Sequence, residues 1–194
     1  MGVTVGVLAL QGAFDAHQRV LADLGVTTRQ VRTPADLRKV DALVMPGGES
    51  GTMSQLLERS ELFGPLSERL SAGMPTFGTC AGMILLANNV LDGRSDQRSF
   101  AAIDITVRRN AYGRQNESFE ADLAVKGLRG AFHAVFIRAP RLESMGRGVT
   151  VLARHDGVPV LARQNSVMVA SFHPELGSDH RVHQLFIDHQ LRSM

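Results

Sequence analysis

Residues 1–80 alternate short apolar runs with segments of helical spacing, and this alternation limits the folds that are open to the chain. Three runs of β-branched and aliphatic residues, at 3–10, 27–31 and 42–45, are predicted to be strands. Helical spacing after the first run ends at Gly25, and Thr33-Pro34 after the second run predicts a capped helix start. The order β-α-β-α-β predicts an α/β fold with a doubly wound, mostly parallel central sheet flanked by helices.

The remainder of the chain continues this pattern and then changes it. A helical region is predicted over 54–72, and another strand over 74–77. Strands then follow in quick succession, at 103–107, 133–137, 149–155, 158–164 and 167–172. Asp156-Gly157 is a hairpin signal, so some antiparallel strands are expected in the C-terminal half before a closing helix over 181–191. Because no linker rich in proline, glycine or serine separates the halves, residues 1–194 are predicted to form a single domain.

The only cysteine of the chain lies between two glycines, in Gly78-Thr79-Cys80-Ala81-Gly82. A G-x-nucleophile-x-G sequence after an apolar run is typical of a strand-turn-helix elbow, whose crowded backbone accepts only small neighbours. A helix that starts at Ala81 would direct its N–H groups and its positive dipole end toward the sulfur and favour the reactive thiolate. Taken alone, the stretch leaves open a catalytic thiol and a buried, inert cysteine.

A thiol nucleophile needs a base, and the base needs an orienting group. His173-Pro174-Glu175 ends the last predicted strand. In an extended backbone, residues i and i+2 face the same side, so His173 and Glu175 are expected to project together. A carboxylate beside an imidazole fixes the tautomer of the ring and stabilises the imidazolium. A strand-terminal histidine beside an exposed glutamate remains the alternative for this tripeptide on its own.

Three loops are expected at the carboxyl edge of the sheet, where ligands bind in such folds. They are Gln11-Gly12, the segment 46–50 and the Cys80 elbow. The Gly47-Gly48 turn could present backbone N–H groups to an oxyanion, or could be a plain turn between strand and helix. His180 and His183 are predicted to lie on a solvated helix face, and no metal site is expected because no third ligand has suitable spacing.

Composition bears on the location and partners of the protein. A single cysteine permits no internal disulfide, which favours the cytoplasm. The N-terminal residues lack a basic n-region, so no signal peptide is expected, and the longest early apolar run, at 5–10, is far too short to span a membrane. A net charge of +2 gives no electrostatic footprint for a nucleic-acid partner.

Several segments resemble those of one enzyme family. The G-x-C-x-G elbow with a distant His-Pro-Glu resembles the class I glutamine amidotransferases, whose triad is Cys, His and Glu. Within them, the chain is similar to the glutaminase subunits of pyridoxal 5'-phosphate synthases through the segments 9–13 (ALQGA), 46–50 (PGGES), 78–83 (GTCAGM), 109–115 (RNAYGRQ), 136–140 (FIRAP) and 172–176 (FHPEL). The similarity runs from residue 5 to the last helix, with one departure at Gly51, where the family commonly has threonine.

The resemblance implies a site and a reaction. Cys80 would attack the side-chain amide of L-glutamine, His173 would transfer the proton to departing ammonia, and Glu175 would orient His173. A γ-glutamyl thioester would form, and water would release glutamate. The family implies oxyanion donors and substrate-binding positions as well: the backbone N–H groups of Gly48 and Ala81 for the oxyanion, and Gly48, Glu49, Ser50, Arg109, Ile137 and Arg138 for glutamine.

The resemblance also implies the partner of the chain. A pyridoxal 5'-phosphate synthase subunit would accept the ammonia within a large hetero-oligomer. Pyridoxal phosphate would then be the product of that partner, so no cofactor is expected in this chain. Two other classes share the fold: a chaperone or redox sensor built on a cysteine elbow, which would not need His173 and Glu175, and a non-catalytic regulatory module, which would lack the triad.

Overall fold

A computed structural model of the chain describes residues 2–109 and 118–191. Its strands, in chain order, are β1 (Thr4–Leu8), β2 (Thr27–Val31), β3 (Ala42–Met45), β4 (Thr76–Thr79), β5 (Ala87–Leu91), β6 (Ile103–Arg108), β7 (Ser118–Ala124), β8 (Ala131–Ile137), β9 (Arg141–Met145), β10 (Thr150–His155), β11 (Val158–Gln164) and β12 (Val167–Ala170). Its helices are α1 (Phe14–Asp23), α2 (Pro34–Leu37), α3 (Ser50–Arg59), α4 (Phe63–Ser71), α5 (Ala81–Leu86) and α6 (Arg181–Phe186). The motif predicted at 109–115 lies outside the described residues from 110 onward.

A seven-stranded sheet with the order β10-β11-β12-β4-β3-β1-β2 forms the centre of the fold. The strands from β12 to β2 pair in parallel, and β10 and β11 complete one edge in antiparallel pairing. The predicted α/β fold with a mostly parallel central sheet and antiparallel strands in the C-terminal half is therefore confirmed. The single-domain organisation of residues 1–194 remains a prediction.

Both faces of the central sheet are covered, as the apolar side chains on both sides of its inner strands β1, β3, β4 and β12 require. In β3, Leu43 and Met45 belong to one buried cluster, whereas Ala42 and Val44 belong to the other. Helices α2 to α5 pack on the first face, and α1 and α6 pack on the second. This alternation of side chains and the placement of helices on both faces are what a doubly wound sheet requires.

Two smaller sheets accompany the central one. Strands β5, β6 and β9 form the first, and β7 and β8 pair as an antiparallel ribbon. Three of these strands, β5, β7 and β9, were not expected from the sequence. Each is short or polar and exposes much of one face, so the chain lacks a continuous apolar run at these places.

The helices differ from the expected ranges in two places. The region predicted over 54–72 begins earlier, at Ser50, and is split into α3 and α4 by a turn at Glu61, which has a positive φ of 58°. The closing helix is present as α6, and it continues into a π-helical turn, Ile187–Leu191. No helix within residues 2–109 or 118–191 combines the length and apolarity needed to cross a membrane.

Candidate active site

The Cys80 elbow joins β4 to α5 in a turn with little free space. Cys80 itself has φ 49° and ψ −105°, an uncommon conformation for a residue with a side chain. A Cβ atom on Gly78 would lie 2.7 Å from the backbone carbon of Gly82, and one on Gly82 would lie 2.1 Å from the carbonyl oxygen of Met45. Only glycine fits at these two positions, so the predicted strand-turn-helix elbow is confirmed.

His173 lies beside the elbow on the loop that follows β12, the neighbour of β4 in the sheet. Its Nδ1 atom is 2.8 Å from Oε1 of Glu175, and its ring lines the same cavity as Cys80, close enough to interact with the thiol. The three side chains Cys80, His173 and Glu175 are therefore brought into one line. The Glu175 side chain is fully buried, and 11% of the His173 side chain is exposed.

The backbone that aligns His173 and Glu175 is not the expected one. Strand β12 ends at Ala170, and the N–H of Leu176 donates to the carbonyl of His173 over 3.3 Å. The prediction that both residues project from an extended backbone is therefore wrong. A turn after the strand brings the carboxylate of Glu175 back to the ring, and the N–H of His173 is fixed by the carbonyl of Val135 at 2.8 Å.

The protonation of His173 is controlled by its two neighbours. Burial lowers the pKa of this imidazole, but its hydrogen bonds to Cys80 and Glu175 outweigh burial and raise the pKa to about 10. Burial raises the pKa of Glu175, and the hydrogen bond from His173 and the proximity of His17 outweigh it, so the pKa of Glu175 is lowered. The site therefore favours an imidazolium between a carboxylate and a sulfur.

A cavity of about 240 Å³ opens at the carboxyl edge of the sheet above Cys80. It is lined by Gly12, Ala13, Gly47, Gly48, Glu49, Ser50, Cys80, Ile84, Arg109, Ile137, Arg138 and His173. All six positions that the resemblance implied for glutamine line this cavity. Glu175 lies behind His173, and Ala81 is fully buried as the first residue of α5.

The loops after β1 and β3 meet at the cavity. A Cβ atom on Gly12, whose φ is +87°, would lie 1.8 Å from the carbonyl oxygen of Gly47. A Cβ atom on Gly47 would lie 2.5 Å from Cε1 of His173. The side chain of Gln11 accepts a hydrogen bond from the N–H of Glu49 at 3.3 Å. The predicted convergence of the Gln11-Gly12 loop, segment 46–50 and the elbow is therefore confirmed.

Charged groups occupy the rim of the cavity. Nη2 of Arg109 lies 2.7 Å from Oε1 of Glu49, and Nη1 donates to Oε1 of Gln97 at 2.8 Å. Glu49 also accepts hydrogen bonds from the N–H groups of Gly51 and Thr52 at the start of α3. Burial raises the pKa of Glu49, but these hydrogen bonds and Arg109 together lower it. An anion and a cation are thus held side by side near the thiol.

Three polar residues near the site were missed or misplaced in the predictions from sequence. His183 is fully buried, so its predicted place on a solvated helix face is wrong; 25% of the His180 side chain is exposed. His17 is also fully buried. It lies at the helical spacing of the apolar residues of α1, so its burial could have been predicted from the sequence. Gln97 lies between Arg109 and Ser50, in a loop that had no sequence signal.

A thiol, an imidazole and a carboxylate in line at the carboxyl edge of an α/β sheet define the class of cysteine-dependent hydrolases and acyl-transfer enzymes. Residues 7–192 match the SNO glutamine amidotransferase family, and the chain belongs to this family.

Individual relatives match this sequence over nearly its whole length. The sequence is 57% identical over 188 residues to "Pyridoxal 5'-phosphate synthase subunit PdxT" of Mycobacteroides abscessus, which covers 97% of each chain. It is 53% identical over 190 residues to the protein of the same name from Nocardioides sp., with 95% of this chain and 94% of the relative covered.

Solved structures agree with the fold. A crystal structure of a glutamine amidotransferase superposes with a TM-score of 0.89 at 46% identity and covers 95% of this chain and 97% of that chain. The structure of PurLQS from Thermotoga maritima has a TM-score of 0.71 at 15% identity, covering 97% of this chain and 99% of that chain, and shares the fold alone.

Proposed function

We propose that this chain hydrolyses L-glutamine to L-glutamate and ammonia as the glutaminase subunit of a pyridoxal 5'-phosphate synthase. The observation that carries the proposal is the line of Cys80, His173 and Glu175 on a small cavity that also presents Glu49 and Arg109. The relatives named as subunits of this synthase support the choice among glutamine amidotransferases.

In the first half of the reaction, the thiolate of Cys80 attacks the side-chain amide carbon of glutamine. The carbonyl oxygen becomes an oxyanion, for which the backbone N–H groups of Gly48 and Ala81 are the proposed donors. The imidazolium of His173 gives its proton to the amide nitrogen, the C–N bond breaks, and ammonia leaves. A γ-glutamyl thioester on Cys80 remains.

In the second half, water attacks the thioester. Neutral His173, which lost its proton to ammonia, now accepts a proton from water, so the same ring acts first as acid and then as base. The C–S bond breaks, and glutamate and the thiolate of Cys80 are released. Glu175 keeps the ring in the tautomer that presents its other nitrogen to these atoms, since its carboxylate accepts from Nδ1.

Glutamine carries an α-carboxylate and an α-ammonium group at the end that does not react. The proposed partners are the side chains of Arg109 and Arg138 for the carboxylate and that of Glu49 for the ammonium group, with contributions from Ser50 and Ile137. The pairing of Arg109 with Glu49 at the cavity supports this assignment, because both charged groups of a zwitterion find a complementary charge there.

Replacing Arg109 or Arg138 with alanine is expected to raise KM for glutamine by about 10- to 100-fold with little change in kcat, the size expected for the loss of a charged hydrogen bond. An ionic contact to the unreacting end contributes alike to the ground state and the transition state. Steady-state kinetics of glutamate formation measures both constants.

Arg108→Ala is a matched control, since Arg108 adjoins Arg109 but pairs with Asp92 and Glu143. A fall in kcat alone for the Arg109 or Arg138 variant would assign these arginines to the chemistry or to the subunit interface instead.

The synthase partner receives the ammonia. We further propose that the two subunits form a large hetero-oligomer and that the chain works in the cytoplasm, to which its single cysteine is suited. Pyridoxal phosphate is made by the partner and has no place in the chemistry of this chain. Ammonia that escapes into neutral water is mostly protonated and is lost as a nucleophile, so hydrolysis without a partner wastes glutamine.

The isolated chain is therefore expected to be a poor glutaminase that the synthase activates by docking on the face of the Cys80 elbow. The Gly47-Gly48 loop is the proposed switch, because a glycine peptide unit can turn its N–H toward or away from the oxyanion at little steric cost. A missing oxyanion donor costs about 10²–10³ in kcat. Glutamate production by the chain with and without the synthase measures the effect, and full activity in isolation would exclude the switch.

Trapping of the thioester tests the proposed function directly. The chain and its synthase are incubated with isotopically labelled glutamine, and the reaction is quenched in acid. The protein is then digested, and the mass of the peptide that contains Cys80 is measured by mass spectrometry. The γ-glutamyl group is expected on Cys80 and nowhere else. Oxidised Cys80 without any glutamyl adduct, together with no release of ammonia, would favour a redox sensor.

A further inference from the structure

Two fully buried histidines lie behind Glu175, on the side away from the cavity. His17 comes from α1 and His183 from α6, and Nδ1 of His17 lies 2.8 Å from Nε2 of His183. On its other side, Nε2 of His17 lies 3.2 Å from Oγ1 of Thr79 and 3.4 Å from Oε2 of Glu175. The reaction described above uses neither ring. We refer to His17 and His183 as the buried histidine pair.

The chemistry of these atoms fixes the direction of the hydrogen bonds. Glu175 is ionised and can only accept, so hydrogen on Nε2 of His17 is the favoured arrangement; this N–H lies between Oγ1 of Thr79, its hydrogen-bond partner, and Oε2. Burial lowers the pKa of His17 most; the charge of Glu175 raises it, and His173 lowers it further. A neutral His17 with hydrogen on Nε2 has a lone pair on Nδ1, which accepts the hydrogen from Nε2 of His183.

The far end of this chain of hydrogen bonds agrees with that direction. Nδ1 of His183 is buried and has no hydrogen-bond partner within the described part of the chain. With its hydrogen on Nε2, His183 leaves a bare lone pair at Nδ1, whereas the other tautomer would bury an unpaired N–H. The pKa of His183 lies well below its usual value, through burial first and then through His17 and His180, so the ring is neutral.

The carboxylate of Glu175 needs a group in this position. Oε1 receives the hydrogen bond from His173, but Oε2 is buried and has no hydrogen bond of good geometry within residues 2–109 and 118–191. Oε2 forms an ion pair with His17, whose Nε2 lies 3.4 Å away. A buried carboxylate oxygen that faces only apolar groups would favour protonation or rotation of Glu175.

We propose that His17, held in place by His183, is a positioning residue that directs an N–H at Oε2 of Glu175 and thereby fixes the carboxylate on His173. The inference rests on the proposed glutaminase function and adds His17 and His183, which lie behind Glu175, to the residues that support its catalysis. His17 also contacts Thr79, which immediately precedes Cys80, so the same ring contacts both the elbow and the carboxylate of Glu175.

The first test compares two variants of His17 in the complex with the synthase. His17→Leu keeps the volume roughly but removes the N–H, and kcat is expected to fall about 10- to 100-fold, the size typical of an outer residue that orients a functional ligand from behind. KM for glutamine should change less than about twofold, because His17 does not line the cavity. His17→Gln keeps an N–H donor near the position of Nε2 and should recover most of kcat.

Leu21→Ala is the matched control, because Leu21 is a fully buried apolar residue one turn further along α1 and is not among the residues that line the cavity. It should lower the melting temperature at least as much as His17→Leu and leave kcat unchanged. An equal loss of kcat in Leu21→Ala and His17→Leu would make the role of His17 purely structural and overturn the proposal.

A double-mutant cycle tests whether His17 acts through Glu175. In a Glu175→Gln background, His17→Leu should lower kcat by less than about threefold, since the carboxylate it serves is gone. Independent, multiplying losses would overturn the proposal. A wild-type complex without glutaminase activity would instead defeat the proposed function, so the two failures are distinguishable.

A measurement on the unmodified chain needs no variant to fold. Long-range ¹H–¹⁵N correlation spectra of the histidine-labelled protein report which ring nitrogen carries hydrogen. His17 and His183 should both be neutral with hydrogen on Nε2 at about pH 6.5, where a histidine of ordinary pKa is about half protonated. Hydrogen on Nδ1 of His17 would point a lone pair at Glu175 and overturn the proposal.

Discussion

Replacing Cys80 with alanine is expected to abolish glutamine hydrolysis, lowering kcat by about 10⁶-fold, as loss of the nucleophile does in other triad hydrolases. The chain has no second thiol that could form the γ-glutamyl thioester. Ammonia release by the complex with the synthase measures the loss. The melting temperature should change little, since alanine fills most of the same space and the positive φ of position 80 is retained.

A control separates chemistry from binding in this variant. Cys80→Ala should still bind glutamine and the synthase, because the residues proposed to hold the substrate are untouched. Glutamine hydrolysis by a Cys80→Ala preparation that is free of wild-type protein would contradict the thioester mechanism. Loss of glutamine binding together with activity would mean that the elbow had collapsed and that the variant reports on the fold.

The second large effect concerns His173 and Glu175, which are expected to differ in degree. His173→Asn removes the group that transfers protons and should cost about as much as the loss of the nucleophile, whereas Glu175→Gln removes only the orienting charge and should cost about 10⁴-fold. Both losses should appear in kcat rather than in KM. Equal effects, or none in either variant, would argue that the pair is structural.

The pH dependence of the reaction gives an independent test of the same pair. Below its pKa of about 10 the ring of His173 is an imidazolium, so the basic limb of the kcat/KM profile should lie far above the usual value of 6.5. Raising the pH through that pKa removes the proton that departing ammonia needs. In Glu175→Gln the hydrogen bond and charge that raise the pKa are lost, and the basic limb should move to lower pH. An unshifted limb would contradict the role of Glu175.

Much of the fold was predictable because its strongest signals are local. Strands β2 and β3 have the predicted bounds, and the glycines of the elbow marked a turn whose crowding is visible in the structure. Strand β7, by contrast, has one fully buried side chain, Leu123, and it exists because β8 supplies its hydrogen bonds. The pattern of the segment alone gave no sign of that pairing.

The site was predictable where motifs carry chemistry and not where the environment comes from distant elements. Cys80, His173 and Glu175 stand in short motifs, and the sheet brings their strand ends together as expected. His183 was misplaced because its burial is created by α1 and β4, including the ring of Phe77 at 5.7 Å. The turn at His173 could not be read from the strand pattern, since it depends on a hydrogen bond to Val135 in β8.

The elbow has a practical consequence for counting active molecules. Because the one sulfhydryl of the chain lines the cavity, a chloroketone analogue of glutamine can form at most one thioether on each chain. The mole fraction of chains that carry the label on Cys80, read from the digested peptide, then measures the fraction of competent sites in a preparation. Specific activities of variants can be divided by this fraction, so that poor folding is not mistaken for slow chemistry.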